Sequence, residues 1–91
     1  MEAIKATWEP PVKHAELAPE GDLPDSVFAF PAQRKEPLRD ASHVRNAVAR
    51  FDQVEGVSDP DRELAWANIS KAAKHYAVEL SETDWHQLMD P

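Results

Sequence analysis

The chain has 91 residues, no cysteine, 30% charged residues and a net charge of −7. That length allows one domain, whose packed part of about 65 residues would bury roughly 60% of its unfolded surface, and the missing cysteine excludes disulfides, thiolate metal sites and thiol nucleophiles. The longest apolar stretches fall far short of the roughly 20 residues that span a bilayer. The opening Met1-Glu2-Ala3-Ile4-Lys5 lacks the pattern of a signal peptide, so a cytoplasmic location is expected.

Pro10, Pro11, Pro19, Pro24 and Pro31 crowd the first third of the chain. Each fixes φ and removes an amide donor, so no long helix or central strand is expected before residue 24. Residues 1–22 read as an extended arm with sparse apolar residues (Ile4, Trp8, Val12 and Leu17), and residues 23–91 as the compact domain. Phe28-Ala29-Phe30-Pro31 is the densest aromatic cluster. It is expected to lie extended, with both rings pressed onto the helices behind it.

A first helix is predicted from Asp40, a favoured N-cap whose carboxylate accepts an amide of the first turn. Val44, Ala47, Val48 and Phe51 make one apolar stripe at helical period, and Gly56 is a natural stop. A second helix is signalled by Ser58 with Asp61 and by Asp59 before Pro60. It is predicted to run to about Tyr76, with Ala65, Ile69, Ala72, Ala73 and Tyr76 inward. Ser81 with Asp84 repeats the capping pair, and Leu80 with Trp85 fits a hydrophobic staple, so a short third helix is predicted there. The expected fold class is therefore all-α: a small two-to-three-helix domain with an extended arm and an extended 28–31 segment packed on the helices. Phe28, Phe30, Val44, Val48, Phe51, Ile69, Ala73 and Tyr76 form its predicted core, closed at one end by Trp85.

No constellation for catalysis stands out. His14, His43, His75 and His86 are not spaced as metal ligands, and no serine lies in a Gly-x-Ser-x-Gly elbow. Gly21 and Gly56 alone cannot build a phosphate-cradling loop. No catalytic residue, metal or cofactor is assigned, and an enzyme is not expected. Charge is unevenly distributed, however. Residues 27–50 carry a net +3 from Arg34, Lys35, Arg39, Arg45 and Arg50, while the flanking stretches are acidic. This island suits a phosphate backbone, or it neutralises the acidic helices beside it. In a helix-turn-helix reading the second helix would open with Asp59, Asp61 and Glu63, which repel phosphate.

The run Leu23-Pro24-Asp25-Ser26-Val27-Phe28-Ala29-Phe30-Pro31, followed by Arg34-Lys35-Glu36-Pro37-Leu38 and by Asp40-Ala41-Ser42-His43-Val44-Arg45-Asn46-Ala47, resembles a family of small bacterial and phage proteins. In that family a Phe-Ala-Phe-Pro or Phe-Ala-Ile-Pro segment precedes a His-x-Arg-Asn-Ala helix. Related segments occur appended to phage head-maturation proteases. The resemblance covers residues 23–88 and implies a compact domain of bacterial or phage origin, but it brings no activity. Where relatives often have glycine after the second helix, this chain has Ala77.

The expected role is that of a non-catalytic accessory protein that binds another protein, with no membrane partner. Partner contact is expected at Trp8, Arg34, Lys35, Arg39 and Arg45. The alternative is a nucleic-acid-associated protein using Arg34, Lys35, Arg39, Arg45 and Arg50. Trp8 has two open fates: docked back on its own domain, or free to anchor in a partner.

Overall fold

Helix α1, Ala41–Arg50, begins where Asp40 caps it: the carboxylate accepts the His43 amide at 2.8 Å. A 3-10 turn, Phe51–Gln53, continues the helix, and Gly56 with φ 75° turns the chain back. Helix α2, Asp59–His75, starts with the predicted capping box. Asp61 N–H donates to Ser58 Oγ, and Ser58 N–H donates to Asp61 Oδ2. Pro60 occupies the first turn, where its missing amide costs nothing. The computed structural model describes residues 4–11 and 23–89. Residues 1–3 and 12–22 of the predicted arm, with Val12, His14 and Leu17, lie outside the described residues, as do 90 and 91.

The all-α expectation is corrected by a two-stranded antiparallel hairpin, β1 (Phe28–Phe30) with β2 (Lys35–Pro37), which makes this a small mixed α/β domain. The register places Phe28 opposite Pro37 and Phe30 opposite Lys35. Leu38 N–H then donates to Val27 O at 2.9 Å, extending the ladder past the proline. Pro37 is tolerated because β2 is an edge strand, where a missing amide breaks no central ladder. Pro31 opens the turn rather than ending an isolated strand, and Arg34 N–H closes it on Pro31 O.

Helix α2 packs chiefly on β1, and α1 packs against both α2 and β2. Alanines at 65, 72 and 73 are buried on the inner face of α2 and let the hairpin approach closely. Phe30, Val44, Phe51, Ile69, Ala73 and Trp85 form the main core as expected. Phe51 stands between Phe30 (centroids 5.8 Å apart) and Trp85 (6.2 Å), so Trp85 closes that end. Val48 and Tyr76 are only partly buried, and Phe28 belongs to a separate cluster with Leu23 and Val27. The main core also holds Ala29, Leu38, Val54 and Trp8, which were not predicted; Trp8 is only 1% exposed.

The third helix is a single 3-10 turn, Trp85–Leu88, and its cap differs from the expectation. Asp84, not Ser81, accepts the first amide, from His86, and Gln87 completes the box by bonding the Asp84 amide at 3.0 Å. Ser81 donates its hydroxyl to Glu82 instead. At the end of α2, Ala77 takes the left-handed conformation (φ 57°), and Val78 N–H reaches back to Ala73 O at 2.8 Å. This is the glycine-type helix stop made with an alanine, at a steric cost of about 1–2 kcal/mol. Among the described residues no helix is long and apolar enough to cross a membrane.

Candidate functional site

A concave polar surface lies between β2 and α1. A cleft of about 320 Å³ is lined by Arg34, Lys35, Glu36, Pro37, His43, Asn46 and Arg50. A second depression of similar volume shares Lys35, Glu36 and Arg50 with it and continues along Gln53, Val54 and Glu55. Together they form one groove beside the hairpin.

The backbone around Lys35 is unusual. Arg34 and Glu36 both lie in the left-handed region, with φ 52° and 57°. Neither is glycine, so each holds about 1–2 kcal/mol of steric strain that surrounding contacts must offset. For Arg34 those contacts are visible: its guanidinium bonds Asp25 and the Leu23 carbonyl and lies 4.7 Å over the Phe28 ring. Lys35 Nζ donates to the Glu55 carbonyl at 2.7 Å, which sets the ammonium across the groove. His43 contributes its ring from the first turn of α1, with Nδ1 2.8 Å from Asp40 Oδ1. Burial alone would raise the Asp40 pKa, but hydrogen bonds from the His43 amide and ring, with Arg39 nearby, hold it below the usual carboxylate range.

The structure divides the residues that the sequence grouped. Arg34, Lys35 and Arg50 line the groove. Arg45 points into a different cleft, with Val48, Val78, Glu79, Leu80, Ser81 and Glu82. Arg39 sits half-buried between β2 and α1. Trp8 is absent from the surface: its Nε1 donates to Leu38 O at 3.1 Å, and its ring packs edge-on to His75 and Tyr76. Of the two fates left open, it is docked on its own domain.

A protein-family model described as a family of unknown function (DUF6582) matches residues 13–83. The chain belongs to this family. No curated protein and no solved structure matches the chain. The shared stretch contains the whole hairpin, both helices and every groove residue, whereas Trp8 precedes it.

Sequence reasoning missed Glu36, Pro37, His43 and Asn46 as groove residues. Asn46 had a signal, since it follows His43 by one helical turn and so shares its face. It also missed Asn68, which is fully buried on α2. Asn68 Oδ1 accepts the amides of Thr7 and Trp8, both at 2.8 Å, and its Nδ2 donates to Ala29 O at 3.0 Å and to Thr7 Oγ1 at 3.3 Å. Its position, three after Ala65 and four before Ala72, places it on the apolar stripe of α2. A lone amide on such a stripe needs internal partners. Among the described residues no group of three or more metal-ligating side chains comes together.

Proposed function

We propose that this protein is a non-catalytic interaction module that docks an acidic segment of a partner protein in the groove between β2 and α1. The observation that carries this reading is the convergence of Lys35, His43, Asn46 and Arg50 on one concave surface. The Arg50 guanidinium makes no ion pair or hydrogen bond with the described residues, so its donors are available to carboxylates. Asn46 adds a neutral amide suited to a peptide backbone.

The groove lining has no hydroxyl or thiol, which favours binding over nucleophilic chemistry. A nucleic-acid backbone carries negative charge at every step and calls for a longer run of cations than this groove supplies. Arg45, in another cleft, does not reinforce the groove cations, and the chain is strongly acidic as a whole. A bacterial or phage origin, a cytoplasmic location and kinship with segments appended to phage head-maturation proteases belong to this same reading.

Selection of displayed random peptides on the full chain, counter-selected against Arg50→Glu, tests the proposal. Enriched peptides should be rich in Asp and Glu and should bind Arg50→Glu at least tenfold more weakly. Enrichment without acidic residues, or binding indifferent to Arg50→Glu, overturns it. Salt-dependent retention on duplex DNA that Arg50→Glu abolishes would put the nucleic-acid reading in its place.

A further inference from the structure

Residues 4–11 cross the domain without joining its sheet or either helix. They are attached in the manner of a docked peptide. Thr7 and Trp8 give their amides to Asn68 Oδ1, and Glu9 gives its amide to Ser26 O at 3.0 Å. The indole enters a pocket made by the Leu38 carbonyl, His75 and Tyr76. Trp8 and Pro11 are buried, while Ile4, Lys5, Thr7, Glu9 and Pro10 are exposed. A single aromatic anchor with backbone hydrogen bonds on either side is how extended peptides are recognised by folded domains. Every receiving residue (Ser26, Leu38, Asn68, His75 and Tyr76) falls inside the stretch shared with the family, and the strap falls before it.

We propose that Asn68 and the Leu38–His75–Tyr76 pocket form a peptide-docking site for an extended Thr-Trp-Glu-Pro-Pro segment. In this chain the site is filled by residues 4–11, and the occupant it takes in trans is the same segment of a second copy. Complementarity is established by the bound segment itself. The Asn68 amide accepts two successive backbone N–H groups and donates to the backbone of β1, so it reads main chain, and the indole pocket supplies the side-chain preference. Residues 12–22 can each reach at most ~3.3–3.6 Å, which together is comparable to the 38 Å long axis of the molecule. Crossing to a neighbouring copy is therefore within reach. A tethered segment has an effective concentration on the order of millimolar, so the chain's own strap wins in dilute solution. The copies exchange straps when concentrated.

The test inserts a protease recognition site within residues 12–22 of the full chain and cuts it after folding. The cut protein should keep its helical circular dichroism. A fluorescent peptide of residues 1–11 should then exchange into it, with saturable anisotropy and a Kd between micromolar and millimolar. The same peptide with Trp8→Ala should bind at least a hundredfold more weakly. The uncut chain near millimolar concentration should show a fraction of doubled mass by light scattering, which cutting abolishes. Unfolding on cutting, or peptide entry no faster than global unfolding, overturns the docking site. A uniformly single-mass uncut chain at that concentration overturns the second copy as occupant.

Discussion

Replacing Asn68 with alanine removes one side chain and affects four hydrogen bonds. Asn68 is fully buried, and so is the Trp8 amide it holds. In Asn68→Ala the Trp8 N–H and the Ala29 carbonyl lose their partner in the core, while the exposed Thr7 can turn to water. A buried polar group left without a partner costs about 1–3 kcal/mol. Two such groups cost about 2–5 kcal/mol after partial relaxation. A chain of 91 residues has roughly 5–14 kcal/mol in all. At the middle of both ranges the urea midpoint should therefore fall by roughly a third. Because the clamp also seats Trp8, the variant should show red-shifted tryptophan fluorescence before the helical signal is lost. Urea titration followed by both probes checks this. A variant within about 0.5 kcal/mol of wild type, with coincident probes, would show that the clamp contributes little and that Trp8 is held by its pocket alone.

Three further outcomes follow from the helix ends. Asp84→Ala should speed amide exchange in residues 84–89, while Ser81→Ala leaves those residues unchanged, because the carboxylate of Asp84 is the cap. Ala77→Gly should relieve the left-handed strain after α2 and raise stability by about 1 kcal/mol, or roughly 4–8 °C in Tm for a domain of this size. A lowered Tm would contradict that account. Asp40, Asp61 and Asp84 are each held below the usual 3.8 in the folded state. For Asp40, hydrogen bonds from His43 outweigh burial; for Asp61 and Asp84, bonds with Ser58 and His86 dominate. A depressed folded pKa contributes stability that is present above the unfolded value and lost as pH falls through the folded one. Thermal stability should hold from pH 7 to 5 and decline below about pH 4, and less steeply in Asp40→Asn, which keeps a capping oxygen that does not titrate.

Helix starts were legible because Asp40 and Ser58 act locally: the cap and the apolar stripe that follows lie within one stretch of chain. The hairpin was not legible, since Lys35-Glu36-Pro37 has none of the β-branched or aromatic residues that mark strands, and its strand character comes from pairing with β1. The cap of the last turn was misplaced because Ser81 and Asp84 offer the same chemistry three residues apart. Trp8 was open for a different reason: whether an arm docks depends on a partner sixty residues away, and no local pattern reports it. The basic island was visible as charge, but its division was only partly so. Arg45 and Arg50 fall roughly 140° apart around α1 at about 3.6 residues per turn, so spacing alone separates them. That Arg34 is held by Asp25 and Leu23 needed the folded turn.

Chemical-shift mapping tests the central claim, protein docking at the groove, most directly. The nitrogen-15-labelled chain is titrated with an acidic peptide from the selection, at fixed salt. Shifts should concentrate on Lys35, Glu36, His43, Asn46 and Arg50 and leave the Arg45 cleft unmoved. Shifts centred on the Arg45 cleft, or on the acidic start of α2, would contradict the account.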